Sequence, residues 1–116
     1  MDRKKFNVQT KETENSTILY MKGELDLAMA VYFRSVLEPL IDSPKSIVLN
    51  LKELAYIDST GMGILIFILK ARNERKLPFT IQEVPAKIQK LFDLTGITKF
   101  LSVEGDPQTT VKADGM

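Results

Sequence analysis

The chain has 116 residues, 44% of them hydrophobic and 27% charged, with a formal net charge of +1; this is the balance of one ordinary globular domain, able to bury about two thirds of its unfolded surface without a disulfide or a metal. It contains no cysteine and no histidine, which excludes thiol catalysis, serine-histidine-aspartate triads and most zinc and non-haem iron sites. The near-zero net charge assigns the short basic clusters at residues 3–5 and 72–76 to solvated ends rather than to a nucleic-acid surface.

Phe6, Val8 and Thr10 alternate with Asn7, Gln9 and Lys11, the period of a half-buried strand. Residues 12–16 read as a turn and residues 17–22 as a second, more apolar strand that ends at Gly23, so the pair forms an antiparallel hairpin. From Ala30 the period changes, and Phe33, Leu37, Leu40 and Ile41 make one helical stripe. Pro39 should kink its last turn or end the regular ladder there, and Asp42-Ser43-Pro44 closes the segment. Residues 47–51 are an apolar run of buried-strand type, after which Ala55-Tyr56-Ile57 leads into Asp58-Ser59-Thr60-Gly61-Met62-Gly63.

Asp58, Ser59 and Thr60 are all good N-cap residues, so a helix starts here, runs through the apolar residues 64–69 and ends basic, as a helix C-terminus prefers. Residues 64–69 are apolar around the whole circumference, so something should cover the outer side: a neighbouring helix of the same domain, ahead of a partner protein's surface. Leu77-Pro78 breaks the pattern and residues 79–84 make a fourth strand. Pro85 takes the first position of a third helix with the core stripe Ile88, Leu91 and Phe92 and the C-cap Gly96. Residues 97–103 read as a last short strand, and the polar residues 104–116 as a fraying tail or marginal helix.

This order contains two strand-helix-strand units, each needing parallel neighbours and a right-handed crossover. The expected fold is therefore α/β with a mixed sheet, in a single domain covering residues 1–116. The longest apolar run, residues 64–69, is far short of the roughly 20 residues that span a bilayer. No signal-like apolar stretch comes after residues 1–5, so a cytoplasmic protein without a membrane segment is expected.

Gly61 and Gly63 could let backbone amides approach an anion at a helix start, but neither common glycine-rich nucleotide pattern is present. A small nucleotide-binding protein using these glycines is thus a minor alternative. Asp26 and Asp58 could pair for acid-base chemistry. Without a histidine, a cysteine or an evident oxyanion arrangement they read better as capping or turn residues, as do Glu24 and Asp93. No catalytic residue, metal or cofactor is expected.

Three motifs in order resemble those of the anti-sigma-factor antagonists, the small stand-alone STAS domains of bacterial partner-switching systems: Gly23-Glu24-Leu25-Asp26, Ile57-Asp58-Ser59-Thr60-Gly61-Met62-Gly63, and Leu91-Phe92-Asp93-Leu94-Thr95-Gly96. The resemblance covers most of the chain. It implies a STAS-like mixed sheet of four to five strands with helices packed mainly on one side. It also implies a non-enzymatic regulator, monomeric when free and without direct DNA binding, whose partners are an anti-sigma factor serine kinase and a serine phosphatase. Ser59 is then the phosphoacceptor and Thr60 its unmodified neighbour, while Gly23, Glu24, Asp26, Asp58, Thr60, Gly61, Met62 and Gly63 belong to the partner-binding surface. The unphosphorylated form would bind the kinase and free a sigma factor in a stress or sporulation response. A STAS scaffold or sensor module in a larger assembly is the alternative within the same family. The chain departs from the family pattern at Met62, usually Leu; at Ala28-Met29, where a Ser or Thr often caps the first helix; and at residues 74–77, which lack the usual glycines. The missing cap predicts a less well fixed start for that helix.

Overall fold

In the computed structural model, which describes residues 5–96, 101–103 and 110–113, the elements are β1 (Asn7–Glu12), β2 (Ser16–Leu25), α1 (Ala30–Leu37), β3 (Ser46–Ile57), α2 (Ser59–Glu74), β4 (Phe79–Gln82), α3 (Ala86–Thr95), β5 (Leu101–Val103) and β6 (Thr110–Ala113). Short 3-10 turns flank α1 at Leu27–Met29 and Glu38–Leu40. The sheet order is β1-β2-β3-β4-β6-β5, with β2, β3 and β4 parallel and the other pairings antiparallel. The mixed α/β sheet is the expected one, with six strands instead of four to five. The additional strand is β6, whose Thr110–Ala113 pairs with β4 inside the tail expected to fray. Residues 97–100 and the remainder of that tail lie outside the described residues.

The strands bury one face. Leu19, Met21 and Leu25 of β2, Ile47, Leu49 and Leu51 of β3, and Phe79 and Ile81 of β4 join Phe33, Leu37, Leu65, Ile68, Ile88 and Phe92 of the helices in one cluster. Tyr20, Lys22 and Lys52 on the opposite face are exposed, so the helices cover one side, as expected.

Two bulges in β3 decide which of its later residues face the core. The register passes from Tyr20↔Asn50 to Lys22↔Glu53, and from Gly23↔Leu54 to Glu24↔Tyr56, so β3 carries one extra residue at each step. The Asn50 side chain fixes the first bulge by accepting a 3.0 Å hydrogen bond from the Lys52 amide. Each bulge moves the core-facing position on by three residues, from Leu51 to Leu54 to Ile57, where a regular strand would move by two. Residues 47–51 and 55–57 are therefore one strand. Gly23 likewise does not end β2. It sits inside the strand at φ 94, beside the second bulge.

Other boundaries moved for local reasons. Pro85 is the N-cap residue of α3, one position before the expected place, and Glu83 at φ 56 ends β4 early. Lys76 adopts φ 58, in the left-handed region that favours glycine. Arg72 is the largest correction, because it belongs to no solvated end. It is fully buried, and its guanidinium donates to the carbonyls of Leu40, Ser43, Lys45 and Pro78 at 2.7–2.9 Å and to that of Ile41 at 3.4 Å. Burial pushes its pKa down, opposed by nearby Asp42.

At the same end of the sheet, Glu12 accepts from Lys45 Nζ and from Thr17 Oγ1, both at 2.9 Å. These bonds, the Lys45 one first, hold the Glu12 carboxyl below its ordinary value. A lowered carboxylate pKa contributes stability above the unfolded value, and loses it as pH falls through the folded one. Thermal melts at about pH 5 and about pH 3 should therefore show a smaller loss for Glu12→Gln than for the wild type. Equal losses would sink this assignment.

Candidate functional site

Parallel pairing builds the site. Leu25 lies opposite Ile57 in register, so the residues after each strand, Asp26 and Asp58, emerge at the same carboxyl-end edge of the sheet, the edge where open α/β sheets place their sites. The chain turns there into the Leu27–Met29 turn on one side and α2 on the other.

Both aspartates serve the backbone. Asp26 Oδ1 accepts from the Met29 amide at 3.2 Å, which supplies the start of the first helical region with the side-chain cap that Ala28-Met29 lacks. Asp26 thus caps the 3-10 turn, while α1 itself starts from Met29 without a side-chain cap, as expected. Asp58 is the N-cap of α2, chosen among the three capping candidates: Oδ1 accepts from the Gly61 amide and Oδ2 from the Leu27 amide, each at 3.0 Å. Its own amide donates to the Leu25 carbonyl at 3.1 Å. One carboxylate therefore braces both loops.

Ser59 is the first residue of α2 and is exposed; Thr60 beside it is half-buried. Of the other motif residues, Gly63 is exposed and Glu24 and Asp26 are half-buried, whereas Gly23, Gly61 and Met62 are buried beneath the surface. Met62 is 4% exposed and sits in the core cluster. These three shape the site from below rather than face outward. Gly61 donates its amide to Asp58 and packs against Leu25 and Ile57, so its amide is already taken up within the fold. In the third motif, Phe92 is buried, Asp93 accepts from Gln89 Nε2 at 3.1 Å, and Gly96 takes the left-handed C-cap conformation.

Around Ser59 lies an apolar rim that the motifs do not contain. Leu27 is 71% exposed, Val31 80% and Phe67 44%. The Arg34 guanidinium stands 5.1 Å from the Phe67 ring centroid and is ion-paired with Glu38 at 3.1 Å. Of the apolar run at residues 64–69, Ile64, Leu65, Ile68 and Leu69 enter the core, while Ile66 is half-buried and Phe67 is left outside. Two sequence signals mark the rim: Val31 is off the Phe33-Leu37 stripe, and residues 64–69 are apolar on every side; the neighbouring helix expected to cover their outer side leaves Phe67 exposed. Among the described residues no group of acidic side chains could hold a metal ion, and no helix is long and apolar enough to cross a membrane.

Residues 7–112 match the STAS domain family. The chain is similar to the anti-sigma-B factor antagonist of Bacillus subtilis, 26% identical over 107 residues covering 92% of this chain and 98% of the relative. It is likewise similar to that of Staphylococcus aureus, 32% identical over 99 residues covering 84% and 92%. Among solved structures, an anti-sigma factor antagonist from Mycobacterium paratuberculosis superposes with a TM-score of 0.73 at 16% identity, over 82% of this chain and 81% of that one. The phosphorylated form of the Bacillus cell fate determinant SpoIIAA superposes with a TM-score of 0.65 at 19% identity, over 80% and 86%. Both structures share the fold.

Proposed function

The chain belongs to the STAS domain family and, within it, groups with the anti-sigma factor antagonists; from that premise we propose that it is a cytoplasmic, non-enzymatic binding protein switched by phosphorylation at Ser59. Unmodified, it binds an anti-sigma factor that is also its serine kinase, and so releases a sigma factor. A serine phosphatase restores the binding form. The observation that carries this is the position of Ser59: exposed, first in α2, and directly behind a carboxylate that is already committed to the fold.

A phosphate on Ser59 adds a charge of about −1.5 to −2 beside Asp58, on the edge that also carries Asp26 and Glu24. The amides at the helix start stabilise an exposed anion by only about 0.3–1 kcal/mol. A net penalty of about 3 kcal/mol, from desolvation and repulsion on docking, lowers affinity by roughly two orders of magnitude. Glu24, Asp26, Asp58, Thr60 and Gly63 face the partner in this reading, with the protein monomeric when free.

Incubation with candidate anti-sigma kinases and ATP, then mass spectrometry, should place one phosphate on Ser59 and none on Ser59→Ala. Ser59→Asp should bind the kinase about a hundredfold more weakly than wild type. Undiminished phosphorylation of Ser59→Ala, or wild-type affinity in Ser59→Asp, would defeat the proposal.

A further inference from the structure

The two glycines at the start of α2 have opposite surroundings. A Cβ on Gly61 would lie 2.7 Å from Leu25 Cγ and 2.9 Å from Ile57 Cγ1, so internal packing explains that glycine. A Cβ on exposed Gly63 would meet nothing within 4 Å, and its φ is not positive. Glycine is among the least favourable residues inside a helix. The fold therefore does not require glycine at position 63, and its absence of a side chain leaves the α2 backbone bare to anything that approaches from outside.

Gly63 lies in a groove between α1 and α2 with a volume of 360 Å³. Val31, Ile64 and Phe67 supply apolar lining, and Thr60, next to Ser59, belongs to the same groove. Arg34 is the one charged side chain among the described residues that line it, and its exposed pairing with Glu38 is of the weak kind that a partner's carboxylate can replace. Bare backbone at a glycine lets a second helix pack closely, an apolar groove accepts the apolar face of an amphipathic helix, and a cation at the wall selects a carboxylate.

We propose that this groove receives a helix of the anti-sigma kinase, with a small residue packed on Gly63 and an acidic residue paired with Arg34. The inference rests on the function proposed above. It adds which helix face is read and what chemistry reads it. A second copy of this chain fits poorly, because a two-fold interface sets the same patch against itself and would bring two Arg34 guanidiniums into one apolar contact.

The test measures kinase affinity and melting temperature together for wild type, Gly63→Gln, Arg34→Gln and, as a fold reporter, Gly61→Ala. Gly63→Gln should melt at or above the wild-type temperature, bind the kinase at least about tenfold more weakly and be phosphorylated more slowly at Ser59. Arg34→Gln should weaken binding and flatten its salt dependence, and Gly61→Ala should melt lower. Wild-type affinity in Gly63→Gln overturns the inference. So does a lowered melting temperature, which would give Gly63 an internal role, and so does an effect of Gly63→Gln on self-association in place of kinase binding. If wild type itself binds no anti-sigma kinase, the function proposed above falls, and this inference with it.

Discussion

Gly23→Ala is expected to destabilise the protein by about 2–6 kcal/mol, from left-handed strain and overpacking of about 1–3 kcal/mol each. Gly23 is at φ 94, and an added Cβ would lie 2.1 Å from the Lys5 carbonyl oxygen and 2.6 Å from its carbon. These are backbone atoms, so no side-chain rotation relieves the clash. The segment that must move carries Phe6, 3% exposed, whose ring meets Phe33 edge-on at 5.4 Å and Tyr32 at 6.0 Å. Displacing it loosens α1 from the sheet and disturbs the Glu24–Asp26 edge of the proposed docking face. Urea denaturation checks this: a stability within about 1 kcal/mol of wild type would mean that the Lys5–Phe6 segment yields freely.

Arg72→Met is the second large effect, an expected loss of about 3–5 kcal/mol, in the range for removing one partner of a buried charged network. With a total stability of about 5–15 kcal/mol for a domain of this kind, that is a substantial part of the whole. The guanidinium holds five carbonyls from three places: residues 40–43 after α1, Lys45 before β3, and Pro78 before β4. Methionine fills similar volume and satisfies none of them. Lysine keeps the charge but has three donors and no planar fork, so Arg72→Lys should recover only part of the loss. Thermal unfolding should show the order wild type, Arg72→Lys, Arg72→Met, with the last lower by about 10–20 °C. A melting temperature for Arg72→Met within a few degrees of wild type would refute the brace.

The same residue shows where the sequence was silent. Arg72 stands in a basic cluster at a helix end, and its neighbours Glu74, Arg75 and Lys76 are exposed as such clusters usually are; which of them folds inward depends on the carbonyls of residues 40–45, distant in sequence, and on Pro78. The hairpin, both crossovers and the three helices were legible because their apolar periods are local. The bulges in β3 were not, since an extra residue changes parity without leaving a turn signal, and one strand therefore looked like two fragments. Ser59 and its capping neighbours were visible as residue types, but that Asp58 would bridge to Leu27 required the register of β2 against β3. Strand β6 lacked a local signal as well, its Thr110–Ala113 being set by pairing with β4.

That bridge bears on how the proposed docking would proceed. Because Asp58 ties the Leu27 amide to the first turn of α2 before any partner arrives, the two loops meet a partner already ordered, and association avoids the roughly 0.5–1.5 kcal/mol that each side chain immobilised at an interface otherwise costs. A domain of this size can offer only a small contact area. Under the function proposed above, a pre-set contact would let that small area capture an anti-sigma factor with less ordering to be done on docking.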